Sequence, residues 1–520
     1  MVAGVQVIMR IGRPAVDWVR PGNPESTVAK RKSLSKSRLM AARQCLKRLY
    51  LETHRPDLRV ITPQTQAAFD SGHAVGALAR TLYDDGTGEL IGHDGALGAA
   101  LKKTARLVRR PPRRPLFEAT FSAGNVLVRV DALLPKDDGW RMVEIKASTE
   151  PKDEHYFDCA IQAWVLRRSG VALTGVVLAH VDTSFVYAGD GDYRGLLTEV
   201  DVTDTVQKLE ESVPEWVARG LEVLGQPEPD VAVGAQCGKP YPCPFVDYCW
   251  PRDGYPVQSL PNLALAKAGD LIREGYADLR DVPADRLTET QRRVQSVTRA
   301  GSAELDAGVK DAVDGIGYPR YYLDFETIGP AVPRWADSRP YEVLPVQWSC
   351  HYEKAPGELE HCDFLDLTGE PPMRRLAESL IRALGREGPV LVYSHYEKGV
   401  IRRLAERYPD LAPALAAIEA RLVDLLPIVK RHYYHPAMRG SWSIKAVLPT
   451  IPGQLDYKNL DEIQAGMQAS SAYLEAIDPG TDEARKAVLE AELLAYCRID
   501  TEAMVRLIHF LAAAGAGGRA

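Results

Sequence analysis

Acidic residues recur in strand-like segments of this sequence at spacings that suit divalent metal ions. In LFEATFSAGNVLVRVDALLPKDDGWRMVEIKAST, Asp131 ends one alternating stretch, and Glu144 and Lys146 lie two residues apart in the next. Side chains two apart in a strand share a face, so a hairpin through PKDDG gathers two carboxylates and an ammonium group. Such carboxylates suit Mg²⁺ or Mn²⁺, and the lysine can orient or deprotonate a water for phosphodiester hydrolysis. Ordinary surface hairpins also satisfy this spacing, which alone leaves both interpretations open.

A second set of acids lies in the C-terminal part of the chain. Asp324 and Glu326 are two residues apart in the strand-like segment YPRYYLDFETIG, and Glu397 follows a buried strand in GPVLVYSHYEKGVIRRLAERY. Tyr496 and Asp500 are four residues apart in AELLAYCRIDTEAMVRLIHFL, which predicts one face of a long helix. We expect these acids to form a cage for two metal ions that bind the attacking and leaving oxygens.

Three cysteines lie close together in CGKPYPCPFVDYC, a segment in which prolines exclude regular structure. The predicted fourth ligand is Cys45, on the amphipathic helix predicted for SLSKSRLMAARQCLKRLYLETHRPDL. Zinc sites usually pair cysteines at shorter intervals, so this spacing favours an iron–sulfur cluster without excluding zinc. The proposed ligand set is Cys45, Cys237, Cys243 and Cys249, and the buried free thiols are predicted to be Cys159, Cys350, Cys362 and Cys497.

The segment LSKSRLMAARQCLKRLYL, followed later by CGKPYPCPFVDYC, resembles the iron–sulfur clasp of RecB-type nucleases, including AddB and the CRISPR-associated RecB-like exonucleases. The resemblance implies a 4Fe–4S cluster that ties the ends of a nuclease domain together and has a structural role. Asp131, Glu144 and Lys146 resemble the PD-(D/E)XK signature of the same nucleases. It implies that the two acids bind metal and that the lysine is catalytic.

Two further positions fit the RecB-type pattern, and one departs from it. Gln162, in HYFDCAIQAWVLRRSG, resembles the catalytic glutamine of the Q-x-x-x-Y helix, although Leu166 replaces the tyrosine. Glu118 is predicted to be another metal ligand, and a solvated strand end is its alternative. The family carries a metal-binding histidine where SGHAVGALAR has Gly76.

The C-terminal acids resemble those of DnaQ-like exonucleases of the DEDDy type, which have an RNase H fold, over roughly residues 318–512. The resemblance implies that Tyr496 positions the attacking water. Glu397 departs from the family, which has an aspartate there. The implied metal ligands are Asp324, Glu326, Glu397 and Asp500.

The length of 520 residues exceeds what one hydrophobic core supports, so several domains are expected. The predicted fold class is α/β, with a PD-(D/E)XK domain and an RNase H-like domain joined by a helical connector. No apolar run reaches the length of a membrane span, and the opening segment lacks a signal-peptide pattern, which predicts a cytoplasmic protein. The predicted divisions are an extension (1–32), the iron–sulfur nuclease domain (33–255), the connector (256–315) and the exonuclease-like domain (316–515).

The net charge of −6 does not indicate nucleic-acid binding, but it conceals local basic segments. LKKTARLVRRPPRR is predicted to contact a nucleic-acid backbone, and a solvated surface is its alternative. The contact residues are predicted to be Arg106, Arg109, Arg110, Arg113 and Arg114.

Together the patterns resemble a bacterial family in which an iron–sulfur RecB-type nuclease is joined to a DEDDy exonuclease-like domain. We expect a nuclease that uses Mg²⁺ or Mn²⁺ and acts on single-stranded DNA ends. One alternative is an RNA exonuclease that acts through the C-terminal domain. Another is a nucleic-acid-binding scaffold with decayed sites, which Gly76 and Glu397 favour.

Overall fold

The computed structural model of the chain describes residues 33–92, 96–453, 455, 463 and 465–514. The predicted N-terminal extension, residues 1–32, lies outside the described residues, as does residue 515. The described part is a mixed α/β structure with separate sheets, in agreement with the predicted α/β class.

The first sheet runs in the order β2-β3-β4-β5-β6-β7, and β1 pairs in parallel with β4. The β4–β5 pair is the hairpin predicted from PKDDG, and β5 and β6 are parallel. In β4, Val126, Val128 and Val130 are buried and alternate with more exposed residues, as expected for a strand with one face on the core. The strands are β1 (Leu34–Ser35), β2 (Glu89–Leu90), β3 (Leu116–Ala123), β4 (Val126–Lys136), β5 (Gly139–Lys146), β6 (Leu173–Val181) and β7 (Leu197–Asp201).

Helices cover this sheet, and α1 and α5 pack against the strands in a shared apolar core. Helix α5 has acids in its first turn and arginines in its last turn, which complements the helix dipole. The helices are α1 (Lys36–Gln44), α2 (Leu46–His54), α3 (Pro63–Tyr83), α4 (Leu97–Arg109), α5 (Asp153–Arg168), α6 (Thr203–Glu210), α7 (Val213–Val223) and α8 (Val246–Cys249).

The single helix predicted around Cys45 is interrupted at that residue. Cys45 has an extended backbone, with φ −164° and ψ 125°, and it separates α1 from α2. At the other end of α1, the hydroxyl of Ser35 accepts a hydrogen bond from the Arg38 amide, which caps the helix. Helix α1 therefore begins at Lys36 and ends at Gln44, immediately before the first cysteine of the predicted clasp.

The connector contains further short elements that pack beneath the second sheet. Thr288 and Gln291 form a capping box at the start of its longest helix, and Gly301, with φ 69°, ends that helix. Its elements are α9 (Leu265–Arg273), α10 (Glu289–Ala300), β8 (Glu304–Leu305) and α11 (Val309–Asp314).

The second sheet runs in the order β11-β10-β9-β12-β13. Strands β9, β10 and β11 are antiparallel neighbours, whereas β12 is parallel to β9 and to β13. The strands of this part are β9 (Arg320–Ile328), β10 (Leu344–Glu353), β11 (Leu359–Leu365), β12 (Val390–Val392), β13 (Leu422–Asp424) and β14 (Tyr433–Tyr434), which pairs with β8.

The long C-terminal helix packs across β9 and β10, as the predicted convergence of the acids requires. The helices are α12 (Met373–Leu384), α13 (Tyr396–Arg407), α14 (Ala412–Glu419), α15 (Leu425–His432), α16 (Ile444–Val447), α17 (Gly466–Ala476) and α18 (Glu483–Ala514).

The connector shares one apolar core with the C-terminal part of the chain. Val257, Val294 and Val313 of the connector belong to the same buried cluster as Tyr322 and Leu391 of the second sheet. The connector is therefore packed structure and not a spacer between two independent bodies.

The two sheets are also joined by direct contacts. The Tyr341 hydroxyl donates to the carbonyl of Ala147, the residue after the predicted catalytic lysine. The amide of Tyr187 donates to the Ser338 carbonyl over 3.0 Å, and an apolar cluster that includes Val75 lies beside these bonds. In the part of the chain that the structure describes, no helix is both long enough and apolar enough to cross a membrane.

Candidate functional site

The β4–β5 hairpin brings together the acids predicted for the first site. Oδ2 of Asp131 accepts a hydrogen bond of 2.8 Å from the Ile145 amide, which lies between Glu144 and Lys146. The Lys146 ammonium donates to Oε1 of Glu144 over 2.7 Å. The first acid cluster, built on Asp131, Glu144 and Asp158, thus combines the predicted strand residues with a residue of α5.

Helix α5 contributes two polar side chains to this cluster. Nε2 of Gln162 donates to Oε2 of Glu144 over 2.6 Å and to Oδ1 of Asp158 over 3.0 Å. Gln162 therefore lies against Glu144, the acid of β5. Asp158 was not predicted, although it precedes Gln162 by four residues and so shares its helix face.

Lys36, the first residue of α1, also enters the first acid cluster. Its ammonium lies 3.0 Å from Oε1 of Glu144 and 2.9 Å from Oδ1 of Asp158. Lys146 lies 2.5 Å from the other Asp158 oxygen. Sequence analysis missed Lys36 because it precedes Glu144 by 108 residues, and no local spacing links the two.

Burial and charge determine the protonation of the first acid cluster. Burial and the negative charge of Glu144 raise the pKa of Asp131 to about 7. Burial alone would raise the pKa of Asp158, but the Lys146 and Lys36 ammonium groups outweigh it and hold that pKa well below its usual range. The same carboxylates raise the pKa of Lys146 against the effect of burial. Asp158 is therefore an ionised carboxylate that is paired with two ammonium groups.

Glu118 lies at the edge of the first acid cluster. Phe117 pairs with Ala132 and Ala119 with Val130, so Glu118 lies across β3–β4 from Asp131. Its φ of 56° is unusual for a non-glycine residue in a strand. Its carboxylate lies 3.6 Å from the Arg80 guanidinium of α3.

Gly76 stands at the position where RecB-type nucleases carry a metal-binding histidine, and there is space around it. Gly76 lies within α3, and a Cβ added to it would meet no heavy atom within 4 Å. The side chain of a histidine could therefore start from this position without displacing a neighbour.

The second acid cluster consists of Asp324, Glu326, Glu397 and Asp500. Oxygens of Asp324 and Glu326 and the sulfur of Cys497 lie within 4.8 Å of one another. Sγ of Cys497 is 3.6 Å from Oδ2 of Asp324. The sequence predicted both acids, whereas Cys497 was predicted to be only a buried thiol.

Burial and the mutual repulsion of the carboxylates raise pKa values in the second acid cluster. Burial, followed by the charges of Asp500, Glu326 and Glu397, raises the pKa of Asp324 well above its ordinary value. Burial raises the pKa of Glu397 to about 7, with further contributions from Asp424 and Asp500. The predicted strand, junction and helix acids therefore act on one another electrostatically.

Tyr496 contacts a lysine at the edge of the second cluster. The Lys445 ammonium donates to the Tyr496 hydroxyl over 2.8 Å and lies 4.6 Å from the ring centroid. Burial lowers the pKa of Lys445, while Asp500, Glu326 and Asp324 oppose this change. Lys445 was not predicted, because its segment contains no other residue that suggests a site.

The cysteines of the predicted clasp line one pocket. Leu51, Val233, Phe245 and Val246 provide much of the remaining wall. Burial raises the pKa of the Cys249 thiol to about 11, and the other three cysteines add to this against the Lys47 ammonium. The cysteines in the pocket are Cys45, Cys237, Cys243 and Cys249.

The spacing and surroundings of these sulfurs bear on what they could bind. Among the described residues, the four cysteines do not form a group of ligand atoms within 4.8 Å of one another. Gln44, the last residue of α1, donates over 2.7 Å to both the Gln236 and the Tyr241 carbonyls of the cysteine loop. The possible ligands are therefore four thiols, and hydrogen bonds already join the segment of Cys45 to the segment of the other three cysteines.

The predicted backbone-contact arginines all lie on the surface. Arg106 and Arg109 belong to α4, and Arg110 is its C-cap. Arg113 and Arg114 follow in the loop before β3, and all five side chains are exposed. They form an accessible basic surface that leads to the strand of Glu118.

Comparisons with known proteins give a limited match. Residues 321–443 match the family model described as a domain of unknown function, DUF2779. The chain is also similar to a solved structure described as "Crystal structure of SSO0001", with 15% sequence identity, a TM-score of 0.24, and coverage of 43% of this chain and 89% of that chain. No curated protein matches the chain. The family match spans Asp324, Glu326 and Glu397 and ends before Asp500.

Proposed function

We propose that the protein is a metal-dependent nuclease that hydrolyses phosphodiester bonds of nucleic acid, with single-stranded DNA ends as the leading substrate. The observation that carries this proposal is the convergence of two buried acid clusters, each built from distant strand and helix residues. Gathering several carboxylates in a buried position is costly unless cations balance their charge. Binding of divalent cations explains why the acids are gathered.

In the first acid cluster, Asp131 and Glu144 would hold the divalent ion, as in a PD-(D/E)XK nuclease. Bound divalent ions would neutralise the scissile phosphate and lower the pKa of a water molecule. Lys146 donates to Glu144 and Asp158, which supports an orienting and electrostatic role over that of a proton acceptor. Gln162 fixes the orientation of the Glu144 carboxylate through its amide.

In the second acid cluster, the acids of β9, α13 and α18 would hold two divalent ions, as in a DEDDy exonuclease of RNase H fold. Tyr496 accepts a hydrogen bond from Lys445, so its own O–H acts as a donor. That donor is suited to positioning a water molecule near Asp500. Glu397 is longer than the aspartate of the family, but it is buried in the same cluster.

We propose that the cysteine pocket holds a 4Fe–4S cluster with a structural role. Zinc sites usually pair cysteines at two to four intervening residues, whereas five residues separate each neighbouring pair in CGKPYPCPFVDYC, which supports the cluster over zinc. The exposed arginines of α4 would bind the nucleic-acid backbone.

The test is a pair of alanine substitutions in full-length protein purified without oxygen. Asp131→Ala and Asp324→Ala are each assayed with Mn²⁺ on single-stranded DNA and on RNA, beside Glu360→Ala, an exposed acid of β11. We expect Asp131→Ala to abolish DNA hydrolysis and the control to retain it.

Other outcomes identify the alternatives. Loss of RNA hydrolysis in Asp324→Ala, with DNA untouched by every protein, would favour an RNA exonuclease that uses the second acid cluster. Tight binding by the unmodified protein without hydrolysis of either polymer would favour a scaffold with decayed sites.

A further inference from the structure

Lys36 occupies carboxylate oxygens that a second cation would need in the first acid cluster. Oε1 of Glu144 accepts both Lys36 and Lys146, and Oε2 accepts Gln162. Oδ1 of Asp158 contacts Lys36 and Gln162, and Oδ2 contacts Lys146. All four oxygens of these two acids therefore already have cationic or amide donors from the protein.

Asp131 offers the remaining ligand surface. Among the described residues, the hydrogen bond of Asp131 uses Oδ2, which accepts the Ile145 amide. Oε2 of Glu144 accepts the neutral Gln162 amide, whereas each oxygen of Asp158 contacts an ammonium group. Oδ1 of Asp131 and Oε2 of Glu144 can therefore bind one ion between β4 and β5. A second ion would need Asp158, whose oxygens both ammonium groups engage.

The balance of charge leads to the same number of ions. When Asp131, Glu144 and Asp158 are all ionised, as metal binding requires, their three carboxylates and the two ammonium groups leave the first acid cluster with one net negative charge. A single divalent ion more than balances that charge. Within the described residues, the second acid cluster has four carboxylates beside the ammonium group of Lys445 and can balance two divalent ions. Excess buried charge is costly in either sign.

We infer that the first acid cluster binds a single divalent cation and that Lys36 is a positioning residue whose ammonium group takes the place of a second metal ion. This inference rests on the proposed nuclease function. An ammonium group held beside the ion stabilises negative charge that develops on the phosphate. Two sites with different ion requirements then operate in one chain.

Lys36 is held firmly enough for this role. Ser35 caps α1 immediately before it, and the buried Leu39 anchors the helix in the core of the first sheet. Gln44 fastens the other end of α1 to the cysteine loop. A side chain that extends from a helix fixed at both ends keeps its position when substrate or metal arrives.

The test counts ions at the first acid cluster alone. The parent protein is full-length and contains its iron–sulfur cluster. It carries Asp324→Ala and Asp500→Ala to disable the second acid cluster. Mn²⁺ is titrated with calorimetry, and electron paramagnetic resonance detects ion pairs about 4 Å apart, the spacing of two-metal sites. Circular dichroism and iron content establish that each variant is folded.

We expect one Mn²⁺ per chain in the parent and in Lys36→Arg, which keeps the charge. Lys36→Met and Lys36→Gln lose the charge and are expected to bind two, with an exchange-coupled spectrum. Two ions in the parent, or one ion in both uncharged variants, would overturn the inference and leave the nuclease proposal standing. If the parent binds no Mn²⁺, and adding Asp131→Ala leaves the titration the same, the proposed metal site itself would be contradicted.

Discussion

Neutralising one acid of the second cluster should stabilise the metal-free protein while it removes activity. Asp324 is the most informative position because its carboxylate lies close to that of Glu326 and is influenced by acids on α13 and α18. Asp324→Asn keeps the shape of the side chain and an oxygen that can accept from the Cys497 thiol. The substitution therefore isolates the effect of the charge.

The expected gain follows from Coulomb's law. Ligand atoms of Asp324 and Glu326 lie within 4.8 Å of each other. Two full charges at that distance repel by about 3 kcal/mol at an effective dielectric constant near 20. Raised pKa values let the acids share protons and relieve part of this repulsion. A net gain of about 1–2 kcal/mol remains, equivalent to roughly 2–8 °C in Tm for a domain of this size.

The assay is thermal unfolding, at neutral pH and in excess chelator, of protein that contains its iron–sulfur cluster. Glu360→Gln is the matched control, since it removes an exposed charge from β11 of the same sheet; it should shift stability by less than about 0.5 kcal/mol. Adding Mn²⁺ at one hundred times its Kd should stabilise the unmodified protein by about 2.7 kcal/mol per site, and Asp324→Asn by less. A lower Tm for Asp324→Asn than for the unmodified protein in chelator would refute this reasoning.

Three further predictions concern other parts of the molecule. Cys243→Ser should remove the brown colour, the absorbance near ~400 nm and the complement of about four irons per chain. The control is Cys362→Ser, which should retain all three; the prediction that Cys362 is buried was wrong, because its thiol is exposed on β11. Stoichiometric zinc in the unmodified protein would contradict the iron–sulfur cluster. Replacing all five exposed arginines of α4 and its following loop with alanine should weaken the salt dependence of single-stranded DNA binding. The slope of log K against log salt concentration should fall in magnitude by up to about 3.5, because each lost phosphate contact removes about 0.7. An unchanged slope would mean that nucleic acid binds elsewhere. Hydrogen bonds from Arg280 and from the Tyr255 amide outweigh burial and lower the pKa of Asp278 to about 2. Because this folded pKa lies below that of an unfolded aspartate, Asp278 should contribute about 1 kcal/mol to the free energy of unfolding above pH 4 and lose it as the pH falls toward 2. The denaturant midpoints of the unmodified protein and of Asp278→Asn should therefore converge in acid. A difference that stays constant with pH would contradict this.

The elements that follow local rules could be predicted from the sequence. The β4–β5 hairpin was signalled by a turn segment between alternating strands, and α18 by its helical periodicity. The partners Asp131 and Glu144 could be paired for the same reason, since strand periodicity fixes which side chains share a face. Predictions of this kind need only neighbouring residues.

Residues that join a site from distant segments could not be predicted. Lys36 and Lys445 each reach a cluster of acids through the packing of a whole helix, which no local spacing encodes. The interruption of the helix at Cys45 has a similar origin, because the segment itself has a continuous helical pattern. Cys497 lies between two recognised residues of α18, yet its contact with Asp324 depends on how α18 crosses β9.

The shared core of the connector determines how the protein can be divided for experiments. A fragment that starts at residue 316 would uncover Tyr322 and Leu391, which are fully buried against the connector. Such a fragment would expose apolar surface to water and tend to aggregate. A fragment that starts at residue 256 keeps that surface covered, so it is the better starting point for expressing the second acid cluster without the cysteine pocket.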